Sequence, residues 1–424
     1  MVLDVNQSTF CLGAFMNSAI HGKTSGLVSI SLTLGLLAAF SVSTALGQQA
    51  EAVDDDASSM AAAAPVAYVY VSYGPGGSTP NKIAAYAAAS NGSLTTVPGS
   101  PFADNVASMA VNGKYLFGST LNGIYVSAFT MEANGALHYS TSTEVDHADP
   151  DACTYAETLH LDHTGSTLYR TATVGDLCDS EEYESFQVNS STGSLHYLGH
   201  SGSQFLYSTP ISFLSNDVYA YGSDCVPYEV GYIDTFQALK RSGSGLLNSI
   251  SVSAPTPAAM SSEDFYCRSM TAADPAGHLA VSMQAIDGSS EEPDGLPRLG
   301  VYTAAANGNL TTTSTYSNLP KTSVGDVFDL AMSPSGKLLA VAGESGLQIF
   351  HFNGASPITP YTGLLTTTGI TQIFWDDTNH LYGIGYNANK LFVFTVTPTS
   401  ASAAPGSPHS IASVPVNLIV KPKT

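Results

Sequence analysis

A four-part phrase of short apolar runs and Asn/Gly turns recurs along the chain, and this repetition restricts the fold more than any other feature. The stretch "VASMAVNGKYLFGSTLNGIYVSAFTMEANGALHYSTSTE", residues 106–144, divides into strands A (106–111), B (115–119), C (123–130) and D (136–142). Asn-Gly occupies the A–B turn, and "EANGA" makes the C–D hairpin. Both residue types tolerate the positive φ of tight hairpins, so they punctuate strands. A–B hairpins return as "LHLDHTGSTLYRT", "ISFLSNDVYAY", "TAADPAGHLAVS", "LAMSPSGKLLAVA" and "IFWDDTNHLYGIG". C–D hairpins return as "IAAYAAASNGSLTTV", "SFQVNSSTGSLHYL", "DTFQALKRSGSGLLNSI" and "VYTAAANGNLTTT". Strand A begins near 106, 155, 210, 267, 326, 370 and 414, at spacings of 44 to 59 residues. That is the length of a four-stranded propeller blade with its loops. No window keeps the i, i+3, i+4 spacing of a helix, so the expected fold is all-β, a seven-bladed β-propeller.

The termini complete the count. "AYVYVSYG" (67–74) matches strand B and is followed by C and D, leaving the first blade without strand A. "VPVNLIVKP" (414–422) supplies it, so the C-terminal strand is expected to complete the N-terminal blade and remove its open edge. The propeller then spans 66–424. Ahead of it, the uncharged apolar run 26–46 and the small residues of "TALGQQA" read as an export signal over 1–47, with an uncleaved N-terminal anchor as the alternative. Residues 48–65 have the composition of an acidic Ala/Ser-rich linker. The expected location is secreted or periplasmic.

Thirteen Lys and Arg against 34 Asp and Glu give a formal net charge of −21. Such a surface repels phosphate backbones and anionic lipid, which excludes nucleic-acid binding and membrane contact other than by an anchor. The partners left are a small molecule, a glycan or a protein, bound by a monomer.

Strands alternate in direction, so the starts of the A strands and the B–C loops share one face, here termed the loop face. Cys153, Cys178, Cys225 and Cys267 all fall there, and an even number in an oxidising compartment points to disulfides. Blade geometry selects 153–178 within blade 3, and 225–267 from the B–C loop of blade 4 to strand A of blade 5. The same face collects carboxylates, among them Asp264 and Asp326. They make Ca²⁺ the one conceivable cofactor, although no EF-hand or nonapeptide spacing occurs; otherwise no cofactor or metal is expected. The histidines show no metal-ligand spacing, and no G-x-S-x-G elbow is present.

The apolar signal stretch, the seven-fold repeat, turns of the "SPSGKLLAVA" type, the Asn-Gly-containing hairpins and the closing strand together resemble the lactonase-like propeller family. That family includes phosphogluconolactonase and is similar to the broader YVTN-repeat propellers. The resemblance implies active-site residues as a His-x-His at one A strand, an Arg-His at another, and an Asn-Glu at the end of the following B strand. Here the matching positions hold Tyr155-Ala156-Glu157, Cys267-Arg268-Ser269 and Gln284-Ala285. Only Arg268 agrees. Glu157 as general base and Arg268 as charge partner are the catalytic candidates, with Arg268 paired to a carboxylate such as Asp264 as the structural alternative. Tyr155, Asp264 and Asp326 are candidate ligand contacts on the same face. The reading is a non-catalytic binding or scaffold propeller using its loop-rich face. The alternatives are a lactone or ester hydrolase around Glu157 and Arg268, and Ca²⁺-dependent adhesion.

Overall fold

The computed structural model describes residues 64–75, 81–120, 122–145, 155–174, 180–201, 210–227, 232–259 and 264–423. The leader, the linker as far as residue 63, Cys153 and Cys178 lie outside the described residues. Seven antiparallel sheets, each built on four strands, form the molecule. In A, B, C, D order, blade 1 comprises Val414–Pro422, Ala67–Gly74, Lys82–Ala88 and Leu94–Thr96. Blade 2 comprises Val106–Val111, Tyr115–Thr120, Tyr125–Met131 and Leu137–Glu144. Blade 3 is Tyr155–Leu161, Thr167–Val174, Ser180–Val188 and Leu195–His200. Blade 4 is Ser212–Phe213, Tyr219–Pro227, Tyr232–Arg241 and Leu247–Ile250. Blade 5 is Phe265–Ala273, His278–Asp287, Arg298–Ala304 and Leu310–Thr312. Blade 6 is Val327–Met332, Leu338–Gly343, Gly346–Asn353 and Ser356–Pro360. Blade 7 is Gln372–Trp375, His380–Gly385, Lys390–Val396 and Ala401–Ala403.

The seven-bladed reading holds, and so does its closure. Val69 pairs with Val420 and Val71 with Leu418, so the last strand of the chain is the inner strand of the first blade. Inner strands begin at 212, 265 and 372 rather than near 210, 267 and 370. A further correction concerns Cys225. It lies within strand B of blade 4, which runs to Pro227, and not in the loop beyond it.

Both faces of each sheet meet a neighbouring blade, which is why B strands such as Ala67–Gly74 and Leu338–Gly343 are buried throughout. Apolar clusters fill the clefts. Val69, Val71, Ile384, Val393 and Leu418 pack between blades 7 and 1. Tyr219, Tyr221, Tyr266, Leu279 and Tyr302 pack between blades 4 and 5.

Two kinds of polar joint stitch the blades together. Around the inside, a side chain of one A strand binds the backbone of the next. Asn417 accepts from the Met109 N–H at 3.0 Å and Ser108 from the Leu159 N–H at 3.0 Å. Asp329 accepts from the Ile373 N–H at 2.8 Å and Gln372 from the Leu418 N–H at 2.6 Å. Further out, B-strand tyrosines donate to the C–D hairpin of the following blade: Tyr70 to the Gly135 carbonyl at 2.9 Å, Tyr169 to Gly245 at 2.8 Å and Tyr221 to Gly308 at 2.7 Å. Each inner joint satisfies a backbone N–H and each outer one a tyrosine hydroxyl, and such bonds contribute about 1 kcal/mol apiece.

Candidate functional site

Arg268 stands at a β-bulge in the inner strand of blade 5, in the cleft facing blade 4. Its Nε donates to both oxygens of Asp234 at 3.1 Å, and its Nη2 donates to Oδ2 at 2.8 Å. The backbone N–H of Arg268 also reaches Asp234, at 2.9 Å. Nη1 donates to the Ala254 carbonyl at 2.8 Å, and the guanidinium lies 4.5 Å from the centre of the Phe236 ring. All three guanidinium nitrogens are therefore engaged. The partner is Asp234 rather than Asp264, which corrects the sequence expectation. The Tyr302 hydroxyl is close to Arg268 without reaching hydrogen-bonding geometry. Burial foremost pushes its pKa up to about 12, so it stays a neutral phenol.

The Cys225–Cys267 disulfide is present, with Cα atoms 5.1 Å apart. Cys225 and Asp234 are directly opposed across the B and C strands of blade 4, while Cys267 and Arg268 are consecutive in blade 5. The covalent bond and the ion pair thus occupy neighbouring positions and bind the same two blades. Closing a loop with a sequence separation of 42 residues is worth about 4 kcal/mol in the chain-entropy account. Asp234 was not legible as a site residue. Its only signal is its register opposite Cys225, which becomes visible once the hairpin is paired.

The other proposed residues do not join this cluster. Tyr155 and Glu157 belong to the inner strand of blade 3, with blade 4 between them and Arg268, and their side chains lie outside the described residues. Asp264 is half-buried just before the inner strand of blade 5, and Asp326 is exposed just before that of blade 6. At the third family position, Gln284 Nε2 donates to the Ala285 and Gly295 carbonyls and so braces its own loop.

Two charged groupings escaped sequence reasoning. In blade 3, Arg170 and Glu184 pair at 3.1 Å while fully buried, and Arg170 also donates to the Val145 carbonyl at 2.8 Å. Glu182, 3.5 Å from His200, is raised above the ordinary carboxylate range because burial outweighs the attraction of His200 and Arg170. In blade 7, Asp376 contacts His380 Nδ1 at 2.8 Å and accepts from the Tyr382 hydroxyl at 3.0 Å. Burial acts to raise the Asp376 pKa, but the hydrogen bonds from His380 and Thr378 hold it below the ordinary range. His380 is only 1 % exposed, so this carboxylate–imidazole pair secures a turn and reaches no substrate. Asp274 and His278 repeat the turn at 2.8 Å in blade 5. Among the described residues, no three His, Cys, Asp or Glu side chains converge as a metal site.

A putative 6-phosphogluconolactonase from Bacteroides fragilis superimposes with a TM-score of 0.54 at 13 % identity, covering 84 % of this chain and 97 % of that one. Another from Bacteroides uniformis gives 0.52 at 12 % identity, over 84 % and 99 %. The fold is that of the lactonase-like propellers. A hypothetical selenium-binding protein from Sulfolobus tokodaii matches as well, with a TM-score of 0.55 at 10 % identity over 85 % and 94 %. This propeller scaffold is therefore shared by proteins of different description, and the scaffold does not decide the chemistry. No protein-family model and no curated protein matches the sequence.

Proposed function

We propose that the protein is an exported binding propeller of lactonase-like fold that holds its partner on the loop face and does not hydrolyse lactones. The observation that carries this reading is the state of Arg268. A group that stabilises charge in a transition state must keep donors free for it. This guanidinium turns Nε and Nη2 to Asp234 and Nη1 to a carbonyl, beneath a phenyl ring, so its charge is already balanced by a carboxylate and its orientation is fixed by the clamp. The remaining family positions offer Gln284-Ala285 in place of the Asn-Glu, so Ala285 stands where the acidic residue would be, and no histidine occurs at the other two. Arg268 then serves as an interblade clamp.

A panel of sugar and aliphatic lactones, incubated with the purified protein, is the direct test. The expected result is no turnover above the uncatalysed rate, for the native protein and for Glu157→Gln alike. Turnover lost in Glu157→Gln while the fold persists would establish a hydrolase and overturn the binding reading. The clamp has its own signature. Arg268→Ala leaves Asp234 unpaired in a cleft and is expected to lower stability by about 2–4 kcal/mol, and Arg268→Lys restores little because it cannot form the two-pronged contact. Denaturant titration of both variants measures this.

A further inference from the structure

Val416 is 43 % exposed although it belongs to the innermost strand of blade 1. Both faces of that strand are packed against neighbouring blades, so solvent reaches this side chain only through the central channel of the ring. A β-bulge accounts for the exposure. Ser72 pairs with Asn417 and Tyr73 with Pro415, which leaves Val416 between two registers, and such bulges re-aim a side chain. The device recurs at the same level in the two preceding blades. In blade 6, Val327 pairs with Gly343 and Asp329 with Ala342, so the half-buried Phe328 is left over. In blade 7, the Thr371 N–H reaches the Ile384 carbonyl at 3.0 Å, while Gln372 pairs with the same Ile384. The channel wall of blades 6, 7 and 1 thus presents Phe328, Thr371 and Val416.

The residue after each bulge is the one that joins the next blade: Asp329, Gln372 and Asn417. These joints fix the direction of the amides. A backbone N–H must meet an oxygen, so Gln372 and Asn417 aim Oε1 and Oδ1 at the joint and turn their NH2 groups away from it. Both residues are half-buried, and among the described residues neither NH2 group has a hydrogen-bond partner or is a buried atom. Burial keeps the Asp329 carboxyl protonated up to about 7, so below that pH these positions carry no anion, and none holds a cation. The hydroxyls at this level are engaged within the protein. Thr371 Oγ1 donates to the Ile384 carbonyl at 3.3 Å, Ser108 Oγ accepts from the Leu159 N–H at 3.0 Å, and Ser269 and Ser282 share a bond of 2.7 Å. What the wall offers is therefore apolar surface with two amide donors beside it. A carbonyl oxygen accepts from such donors, and an apolar body covers the exposed side chains. A carboxylate or ammonium ligand would find no opposite charge here.

From this we infer that the central channel seats a small uncharged carbonyl compound against blades 6, 7 and 1, its apolar body on Phe328 and Val416 and its oxygen accepting from the amides of Gln372 and Asn417. The seat lies inside the ring and goes beyond the loop-face reading. Its test is also separate: lactone turnover overturns that reading, whereas a ketone has no bond to hydrolyse and reports on the channel alone. Equilibrium dialysis of the purified protein against 2-acetylnaphthalene at about pH 6, beside naphthalene, is the experiment. Expected are saturable binding of one ketone per chain and binding of naphthalene weaker by about fivefold or more, because the hydrocarbon leaves both donors without an acceptor. Gln372→Met with Asn417→Ser should remove the preference for the ketone and leave naphthalene binding unchanged, a pattern that general loosening of the ring does not produce. Val416→Ser, which touches no joint, should weaken both ligands. Tyr139→Ser, at a side chain 61 % exposed on the outer strand of blade 2, should weaken neither. Absence of saturable ketone binding, equal binding of naphthalene, a preference retained in the double variant, unchanged binding in Val416→Ser, or loss of binding in Tyr139→Ser would each overturn the inference.

Discussion

Asp329 shows what one buried carboxylate does to a ring of otherwise neutral joints. Asn417, Ser108 and Gln372 make the equivalent interblade bonds without charge, while Asp329 makes its bond to Ile373 with a group that burial pushes up to about 7. The unfolded chain releases this proton near the ordinary value of 3.8, and the folded chain keeps it to about 7. Between these values the folded state binds the extra proton, so the contribution of Asp329 to stability falls as pH rises through this window and then levels off. Asp329→Asn retains an oxygen for the Ile373 N–H and removes the titration. The expected outcome is a variant more stable than the native protein at pH 8 and no less stable at pH 4, read from melting temperatures across that range. A difference in stability between native protein and variant that does not change between pH 4 and 7 would refute the assignment; the native profile alone does not decide it, because His160, lowered to about 4 by burial, gains stability over the same window. None of this was legible beforehand, because "SVGDVFDLAM" marks an inner strand without saying which residue faces the next blade. Arg268 was legible as a position, through its strand and its family resemblance. Its meaning was not, since Asp234 lies 34 residues away and meets it only across a cleft.

At the level of elements, turn chemistry made the fold readable. Each blade's A–B and C–D hairpins are written with Asn, Asp, Ser and Gly, so strand order and blade count follow from local sequence alone. Strand ends are less sharply written. Cys225 was placed in a loop because "GSDCVPYE" is rich in turn-forming residues, yet pairing with Tyr232–Arg241 carries the strand through to Pro227. The hairpin glycines also do a second job that no local reading reveals. Gly308, at φ +87°, brings its backbone against Tyr219, and an added Cβ would stand 2.8 Å from the ring. The same close approach recurs where Gly135 meets Tyr68 and Gly193 meets Tyr115. Gly308→Ala therefore combines an unfavourable backbone conformation with a clash at a joint between blades, and a loss of about 2–3 kcal/mol is expected. Tyr221→Phe removes only the hydroxyl bond to Gly308 and should cost about 1 kcal/mol. Chemical denaturation of the two variants checks the order. Equal, negligible losses would mean that the hairpins do not bear on the neighbouring blade.

For the molecule as a whole, closure is the decisive act, because a ring of sheets has no stable open form with an exposed inner edge on its first blade. The closing strand Val414–Pro422 touches three blades: it completes blade 1, accepts Met109 of blade 2 on Asn417, and donates its Leu418 N–H to Gln372 of blade 7. Leu418 and Val420 are each 1 % exposed and Ile419 is 8 % exposed. Burying three such side chains is worth about 5–8 kcal/mol, which is comparable with the whole net stability of a typical folded domain, about 5–15 kcal/mol. Removal of residues 412–424 is thus expected to abolish cooperative unfolding and leave a protease-sensitive chain, although more than 400 residues of sequence remain intact. Asn417→Ala is the milder counterpart. It keeps the strand, loses one interblade bond, and should lower stability by about 1 kcal/mol with cooperativity preserved. Limited proteolysis and denaturant curves for both proteins separate a ring held at its seam from seven blades that are independently stable. A truncated chain that still unfolds cooperatively at the native midpoint would show the latter, because the penalty of the open edge would then be too small to matter.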